Sequence, residues 1–457
     1  MEARRTGLLA TLAMLAACAM AQMPVVRLNG DSGDEYSQGT MSLTDAGGAT
    51  ASYNVEAKWR GHTAKQYDKK AFAVKLLDGN GDDLDASLLG MREDNSWILD
   101  AMAADKARMR NRVSFDLWND FSSPTYIKSE YEPESANGTH GHFVELYLNG
   151  SYHGIYCLTE KIDRKQLKLK KYKDGVRGLL YKADSWDGTN FYSYTDFDNS
   201  MPTWMGWESQ YPEVEDEGTT DWEPLHDAVK FALEATDAEF AGRAALLYDL
   251  PVWTDYFIFI RLLLAIDNHG KNTFAYLYDK TADSRLGIAP WDLDATWGRN
   301  YDGSTLAPDI FNGSHRLLDR LAGQEGYMES MAERYFELRK DVFSADSLKA
   351  RFRNYFDYFE ENGASQREEE RWGGVNGVEL DFAAERAYIE NWIDGRLAAV
   401  DGYFGAYTTP VGKVEAEQQS APSRIYDLQG RPVGENDLKD GEVYIMDGKK
   451  VLHKCVW

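Results

Sequence analysis

Hydrophobic and polar residues alternate in the first third of the chain and adopt a helical spacing after about residue 225. Residues 52–59 and 71–77 show the period-two pattern that is typical of half-buried strands. The clearest hairpin joins residues 142–148 to residues 152–159 through Asn149-Gly150, a pair that favours a tight turn. Because strands precede helices along the chain, we predict an α+β fold.

Helical spacing predicts seven helices, several of which are long. They cover residues 106–121, 225–241, 252–266, 315–321, 327–342, 344–361 and 383–404. The first helix has apolar residues every four positions, and we expect Arg108, Arg110 and Arg112 on its other face to be solvated. Residues 184–222 are rich in Trp, Tyr, Asp and Gly without a clear period, and we interpret them as a substrate-facing loop or a lid.

Acidic residues flank a predicted strand pair within residues 266–298. Asp267 and Asn272 precede a strand at 273–278, and Asp292 and Asp294 follow a second strand at 286–291. Such a strand pair can bring these oxygen-bearing side chains together at one end of a hairpin. Phosphate transfer needs oxygen ligands for Mg²⁺ and a carboxylate near the attacking hydroxyl. An Asx-rich turn between two strands is the alternative for either half alone.

Composition excludes several classes of function. The 457 residues carry a formal net charge of −25, which argues against nucleic-acid backbones and anionic membranes as partners. The three cysteines are too far apart to suggest a disulfide framework, and no Cys/His cluster suggests zinc. No segment after residue 21 is apolar enough to predict a transmembrane helix.

The two termini predict export. Residues 1–21 have the charged start, apolar run and small-residue cleavage site of a signal peptide, with cleavage before Gln22. The alternative is a lipoprotein that is cleaved and lipidated at Cys18. Residues 408–422 form a polar linker, and residues 423–457 form a small β module with a hairpin turn at Asp447-Gly448. We therefore expect an extracytoplasmic protein, secreted or at the cell surface.

Five sequence blocks, in order, resemble the CotH kinase family. They read KWRGHTAKQYDKKAFAVKL, WILDAMAADKARMRNRVSFDLW, HFVELYLNGSYHGIYCLTEKIDR, DNHGKNTFAYLYD and IAPWDLDATWG. The resemblance covers roughly residues 50–300 and continues into a helical tail to about residue 405. The carboxy-terminal module, IYDLQGRPV…GEVYIMDGKKVLHK, is similar to the sorting domains of Bacteroidetes proteins that use a type IX-like export route.

The resemblance implies an atypical protein-kinase fold with two lobes in residues 22–407. The β-rich lobe would span residues 22–183, the aromatic insertion 184–222 and the helical lobe 223–407. Such a protein would use ATP and Mg²⁺ or Mn²⁺ to phosphorylate Ser or Thr of a protein substrate, and its carboxy-terminal module would meet the export machinery.

The resemblance also implies roles for individual residues. Asp267 would be the catalytic aspartate, and Asn272 and Asp292 would be metal ligands, with Asp294 as a rival for Asp292. The segment Thr159, Glu160 and Lys161 would be the hinge that meets adenine. The residues facing the phosphates would be Arg60 and either Lys70 or Lys75.

The chain departs from the usual kinase pattern at three places. The helix predicted at 106–121 has no Glu placed to pair with a strand lysine, Leu293-Asp294 stands where Phe-Gly is usual, and Ala265-Ile266 replaces His-Arg. Two other functions therefore remain open. One is an inactive kinase-fold surface protein that binds a glycan or a protein partner, and the other is a metal-dependent phosphohydrolase.

Overall fold

The computed structural model describes residues 22–408 except residue 312, together with four strands between residues 425 and 452. The first part contains these strands and helices: β1 (Val25–Gly30), β2 (Ser37–Thr44), β3 (Thr50–Arg60), β4 (Ala71–Leu77), β5 (Ala86–Ser87), β6 (Glu93–Asp94), β7 (Ser96–Asp100), α1 (Arg110–Phe121), α2 (Tyr126–Glu130), β8 (Gly141–Leu148) and β9 (Ser151–Thr159). The predicted strands near residues 52–59, 71–77, 142–148 and 152–159 are therefore confirmed.

Seven of these strands form a closed barrel in the order β1-β2-β3-β4-β7-β9-β8. The barrel closes where β1 runs parallel to β8, with Val25 opposite Glu145. Alternate residues point into the interior, so Phe72, Val74 and Leu76 of β4 are all buried. This closure leaves none of the seven strands with an unpaired edge.

The second part adds a five-stranded sheet and three longer helices. Its elements are α3 (Arg164–Leu167), β10 (Leu179–Ala183), β11 (Thr203–Trp204), β12 (Trp207–Tyr211), α4 (Val214–Glu217), α5 (Glu223–Glu234), α6 (Asp237–Leu247), α7 (Leu250–Leu263), β13 (Thr273–Leu277) and β14 (Gly287–Pro290). The sheet order is β11-β12-β10-β13-β14, with every neighbouring pair antiparallel. A capping box at Thr236 and Glu239 starts α6, so the helix predicted at 225–241 is two helices.

The last part of the domain is helical, as predicted. It contains α8 (Arg316–Ala322), α9 (Tyr327–Arg339), α10 (Ala345–Glu361), α11 (Ala364–Trp372) and α12 (Phe382–Thr408). The sequence pattern predicted no helix between residues 361 and 383, so α11 was missed. None of the helices in the described ranges is both long and apolar enough to cross a bilayer.

The aromatic insertion contributes several residues to the core, but most of its residues are exposed or half-buried, so its interpretation as a substrate-facing loop or a lid stays a prediction. Strand β12 pairs with β10 on one side and with β11 on the other, and Trp204 of β11 and Trp207 of β12 are buried. Trp222 at the end of the insertion is also buried and stacks on Tyr181, with ring centroids 5.2 Å apart. Trp186, at 45 % exposure, is the only exposed tryptophan among the described residues.

Helix α1 begins four residues later than predicted, at Arg110. Asp105 accepts hydrogen bonds from the backbone N–H groups of Ala107, Met109 and Arg110, which holds residues 105–109 in a turn before the helix. Arg108 lies within this turn with a positive φ of 56°. The local competition of an Asp side chain with the helix explains the shift.

The three arginines near α1 are buried, so the expectation of a solvated basic face is wrong. Arg108, Arg110 and Arg112 are at most 2 % exposed. Arg110 pairs with Asp105 and with Glu385 of α12, each at 2.6 Å. Their burial is possible because each has a carboxylate partner: Glu368 for Arg108, Asp105 and Glu385 for Arg110, and Asp116 of α1 itself for Arg112.

A second buried ion cluster fastens the barrel to α11. Glu368 of α11 contacts Lys69 at 2.6 Å and Arg108 at 2.7 Å, and it accepts a hydrogen bond from the backbone N–H of Ile155 in β9. Glu368 and its two cationic partners are all at most 2 % exposed. Two cations thus share one carboxylate, and burial lowers the pKa of Lys69 to about 7 although Glu368 acts in the opposite direction.

The carboxy-terminal module contains β15 (Ile425–Tyr426), β16 (Pro432–Val433), β17 (Val443–Met446) and β18 (Lys449–Leu452), in the sheet order β16-β15-β17-β18. The predicted hairpin in this module is therefore present. Residues 1–21, with the predicted cleavage site and Cys18, lie outside the described residues, as does nearly all of the predicted linker. The sorting role of the module stays a prediction.

Candidate functional site

The predicted acidic residues meet at one end of the β13–β14 pair. These strands are antiparallel, with Thr273 opposite Pro290, so the residues before β13 lie beside the residues after β14. The backbone N–H of Trp291 donates to the carbonyl oxygen of Asn272 at 3.0 Å. Asp267 stands in a short 3₁₀ turn, Asp267–His269, just before this end, and Asp292 directly follows Trp291.

A buried asparagine that the sequence did not single out joins the two halves of the site. The side-chain amide of Asn268 donates to the carbonyl oxygens of Asn272 and Trp291, at 2.7 and 2.8 Å. From α7, the hydroxyl of Tyr256 donates to the backbone carbonyl of Asn268 at 2.6 Å. Asn268 therefore sets the spacing between the loop of Asp267 and the loop of Asp292.

Two of the predicted metal ligands have a left-handed backbone. The φ angles of Asn272 and Asp292 are +53° and +50°. Asn and Asp are the non-glycine residues that most readily adopt this conformation, at a cost of order 1–3 kcal/mol when the surroundings require it. The conformation turns both residues out of their strands at the same end of the sheet.

The carboxylates of the site resist ionisation together. Burial raises the pKa of Asp294 well above its ordinary value, and the charges of Asp292, Asp100 and Asp105 add to the effect. Burial and the charge of Asp100 also raise the pKa of Asp292, and Arg60 and Lys182 oppose them. The side chain of Asp292 is exposed to solvent and that of Asp294 is half-buried, so a ligand can reach both carboxylates.

Asp267 belongs to the same electrostatic group. Burial raises the pKa of its carboxyl, and the ammonium of Lys271 works in the opposite direction. The charge of Asp267 in turn raises the pKa of Asp292. Several carboxylates thus share a region that contains fewer cations than anions, a setting that favours the binding of a proton or a metal ion.

Asp100, at the end of β7, is a further acidic residue that the sequence analysis missed. The side chain of Asn111 in α1 donates to Asp100 at 3.0 Å and accepts from the backbone N–H of Leu293 at 3.1 Å. A hydrogen-bonded chain therefore links the barrel, α1 and the loop that carries Asp292 and Asp294. No local sequence signal marks Asp100, because its neighbours come from distant parts of the chain.

A cleft of about 190 Å³ lies between the barrel and the five-stranded sheet, next to these acids. It is lined by Tyr36, Arg60, Ala73, Val74, Ser96, Trp97, Ile98, Lys161, Ile162, Lys182, Gln210, Phe274 and Trp291. Its walls combine apolar side chains with three cations, Arg60, Lys161 and Lys182. Trp291 directly precedes Asp292, so one wall of the cleft continues into the acidic loop.

Some of the residues predicted to bind the cofactor line this cleft and others do not. Arg60 and Lys161 are among the lining residues. Lys75 does not line the cleft, but its ammonium lies 4.6 Å from the ring centroid of Tyr36, which is a lining residue. Lys70 donates to the carbonyl oxygen of Lys65 and lies over the ring of Trp59, away from the lining.

The other two predicted hinge residues are held by the strand end at which they lie. Thr159 ends β9 opposite Ile98, and its hydroxyl donates to the carbonyl oxygen of His140. The buried carboxylate of Glu160 accepts hydrogen bonds from the backbone N–H groups of His140 and Arg92. Within this segment, the next residues, Lys161 and Ile162, are the ones that face the cleft.

The predicted metal ligands do not form a ready-made cage. No group of three or more His, Cys, Asp or Glu side chains within the described residues is spaced to hold a metal ion. Asn272, Asp292 and Asp294 supply an amide and two carboxylates, which are ligand types that Mg²⁺ accepts. Mg²⁺ commonly takes one or two protein carboxylates and completes its shell with water and phosphate oxygens, so these donors fit the ion as part of a nucleotide complex.

Comparison with known proteins identifies the family of the chain. A curated relative, inner spore coat protein H of Bacillus subtilis (strain 168), is 22 % identical over 300 residues, which cover 65 % of this chain and 74 % of the relative. The family profile described as CotH kinase protein matches residues 57–400, a span that includes the acidic loops and every residue that lines the cleft except Tyr36. The chain belongs to the CotH kinase protein family.

Proposed function

We propose that this protein is an exported kinase that transfers phosphate from ATP to Ser or Thr of a protein substrate, with the help of Mg²⁺ or Mn²⁺. Family membership suggests a kinase and the use of ATP. The observation that carries the finer proposal is the meeting of Asp267, Asn272, Asp292 and Asp294 at one end of the β13–β14 pair, beside a cleft that contains cations.

The cleft suits a nucleotide in its distribution of chemistry. Ala73, Ile98, Ile162 and Phe274 provide apolar surfaces against which a base can pack. Arg60 and Lys182 lie where their charges reach Asp292, so phosphates bound near them would also lie near the acidic loop. Because phosphates carry negative charge, these cations would stabilise the bound nucleotide.

Asp267 would act on the attacking hydroxyl. Its carboxyl is half-buried, and the raised pKa brings its basicity closer to that of a useful proton acceptor than an exposed aspartate would be. Lys271 follows in the same loop and offsets part of the added negative charge. The main task of Asp267 would be to orient the hydroxyl and to hold its proton as transfer proceeds.

Asn272, Asp292 and Asp294 would hold the metal ion together with phosphate oxygens. When bound, the metal would neutralise charge on the phosphates during transfer. The chain would contribute a fixed backbone at Asn272 and Asp292. The side chain of Asn268 stabilises this backbone because it donates to the carbonyl oxygens of Asn272 and of Trp291, the residue before Asp292. Binding of a cation would also relieve the repulsion between Asp292 and Asp294.

One observation supports the alternative of a surface-binding protein. Trp186 is 45 % exposed, and a side chain at Gly270 would collide with its ring, so the tryptophan lies directly on the loop that follows Asp267. Exposed tryptophan is rare and often contacts a partner. In a kinase the same side chain would contact the acceptor, and in an inactive protein it would contact a glycan or another protein.

Export is part of the proposal on the strength of the sequence. We propose that the mature chain begins at Gln22 and that residues 420–457 direct its final location. Amino-terminal sequencing of protein from the native host would show Gln22 first, whereas a lipidated Cys18 would replace this proposal with membrane anchoring through a lipid.

The central test is nucleotide binding by calorimetry, with ATP in the presence of Mg²⁺, Mn²⁺ or a chelator. We expect binding that needs the metal. Arg60→Met should weaken it about tenfold, the equivalent of ~1.4 kcal/mol, because Arg60 lines the cleft. Lys70→Met is the matched control and should bind normally, since Lys70 points elsewhere.

Two results would count against the kinase. Absence of binding with every nucleotide and metal would leave the surface-binding alternative. If Arg60→Met and Lys70→Met weaken nucleotide binding equally, the cleft described above is not the nucleotide site. Metal-dependent hydrolysis of ATP without transfer to any Ser or Thr would instead favour a phosphohydrolase.

A further inference from the structure

A small cavity lies next to the loop of Asp267, outside the proposed nucleotide cleft. It is lined by Ile260, Arg261, Leu264, Ala265, His269, Phe311 and Arg396. Its volume is about 10 Å³, which is room for one water-sized particle. Arg261 comes from the last turn of α7, Arg396 from α12, and His269 from the 3₁₀ turn that begins with Asp267.

Two polar atoms in this cavity lack partners among the described residues. Nδ1 of His269 and Nη1 of Arg261 are both buried and accept or donate no hydrogen bond. The His269 side chain is only 4 % exposed, and its ring is pressed against the backbone of Gly313. A buried polar atom without a partner is costly, so an occupant that accepts hydrogen bonds would stabilise this place.

The lining of the cavity contains two arginines and no carboxylate. Arg396 is 1 % exposed and donates only to backbone carbonyls, those of Arg261, Leu262, Pro308 and Ile310. Arg261 lies over the ring of Tyr403 at 4.4 Å. No Asp or Glu within the described residues forms an ion pair with either arginine, although most other buried arginines here have one.

The pKa values of these groups indicate positive charge that is only partly compensated. Burial and the charge of Arg261 lower the pKa of Arg396 to about 9, although Tyr335 and Asp309 act in the opposite direction. Burial and Arg261 likewise lower the pKa of His269 to about 3, so the imidazole is neutral at pH 7. A neutral imidazole can still donate through Nδ1–H, since one ring nitrogen carries a proton.

We propose that this cavity is a binding site for a single monovalent anion of halide size, such as chloride. The unpartnered groups of Arg261 and His269 would donate to it, and its charge would compensate Arg261 and Arg396. The volume excludes phosphate and carboxylate ligands. Because His269 lies two residues after Asp267, an occupied site would also stabilise the turn that holds Asp267, whether or not the protein transfers phosphate.

Thermal unfolding of the full chain tests the proposal, in sodium chloride and in sodium gluconate at equal ionic strength and pH 7.5. We expect a Tm higher by about 2–4 °C in chloride, with saturation as chloride rises and a similar effect of bromide. Equal Tm values in chloride and gluconate would overturn the proposal and leave a water molecule as the occupant.

Variants separate this site from general salt effects. Arg261→Met should lose the difference between the two salts and, in gluconate, should be at least as stable as the natural chain, since one unpaired buried charge is gone. Arg261→Lys keeps the charge and should retain a weaker chloride effect. If Arg261→Met keeps the full difference between the salts, the anion does not bind here.

Arg320→Met is the matched control. Arg320 is also a buried arginine that donates to backbone carbonyls, those of Ala232 and Ala235, but it lies in α8 and away from the cavity. Unlike Arg261, it also has a carboxylate partner, the exposed Asp237 at 3.3 Å. We expect it to lower Tm equally in both salts. Crystals grown in bromide provide a direct check, in which an anomalous peak next to Arg261 and His269 supports the site and its absence refutes it.

Discussion

The protein buries charged groups in two opposite ways. Around Glu368 and Glu385, each carboxylate meets two cations: Lys69 and Arg108 in one case, Arg110 and Arg299 in the other. At Asp294 the charges that raise the pKa are other carboxylates, and at Asp292 the carboxylate of Asp100 has a larger effect than either cation, Arg60 or Lys182. The first arrangement joins the barrel to the helices, and the second lies beside the open cleft.

The same chemical group therefore titrates in opposite directions at the two places. Burial alone would raise the pKa of Glu368 and Glu385, but their cationic partners outweigh it and the pKa of each falls. At Asp294, burial and neighbouring acids act together and the pKa rises. Paired charges indicate structure, whereas like charges held together without partners indicate a site that awaits a ligand.

The largest expected effect comes from Asp267→Asn. Because Asp267 would act mainly in the transition state, we expect phosphate transfer to fall by about 10²–10⁴-fold while ATP binding stays near normal. Single-turnover assays and calorimetry on the same preparation measure the two quantities. A variant that loses ATP binding as well would move Asp267 into the group of metal or nucleotide ligands.

Removal of a paired charge should act on stability instead. Glu368→Ala leaves Lys69 and Arg108 buried without an anion, and we expect the free energy of unfolding to fall by about 3–5 kcal/mol. Urea denaturation at pH 7.5 checks this. Glu370→Ala on the exposed face of the same helix is the control and should change stability by less than about 0.5 kcal/mol. Equal effects at both positions would remove the distinction between the two regions.

Removal of an unpaired acid should have the opposite sign. Asp294→Asn relieves repulsion in the metal-free protein, so we expect its free energy of unfolding to rise by roughly 0.5–1 kcal/mol. With Mg·ATP the natural chain should gain more stability than the variant, because it keeps the carboxylate that would bind the metal. Thermal melts with and without Mg·ATP measure both. A less stable variant without ligand would mean that Asp294 only caps the turn.

The smallest expected effect is the pH dependence of that difference. A carboxyl with a raised pKa binds its proton more tightly in the folded state than in the unfolded state. Its ionisation therefore costs no stability below pH 3.8, the ordinary pKa, and the cost grows with pH until it is complete above the pKa of the folded state. The stability advantage of Asp294→Asn should therefore shrink as pH falls from 8 towards 5. Protonation of Glu368 at low pH destabilises the natural chain and the variant alike, so it does not change the difference between them. A constant difference across this range would show that Asp294 is already ionised without penalty.

The sequence predicted the acids of the site because a short-range pattern brings them together. Asp267, Asn272, Asp292 and Asp294 flank two strands that are adjacent along the chain, so hairpin geometry was enough. Asp100 and Lys182 were missed because they reach the site only through barrel closure and pairing of β10 with β13. Their positions depend on contacts that no local period reveals.

The error about the arginines has the same origin. Helical periodicity shows which residues share a face, but it does not show what covers that face. The partners of Arg108 and Arg110 lie 260 and 275 residues further along the chain. The strands inside the aromatic insertion were missed for a related reason, since they are only two and five residues long and too short to display a period.

The parallel pairing of β1 with β8 affects the order of events during synthesis. Val25 must find Glu145, about 120 residues later, and the strands between them must already be present. Distant pairing of this kind is slow, because a long loop must be closed before any contact forms. A nascent chain would therefore remain without a closed barrel while its first hundred residues emerge. If the protein leaves the cytoplasm as we propose, this delay gives a secretion channel time to take up the chain before folding would block its passage.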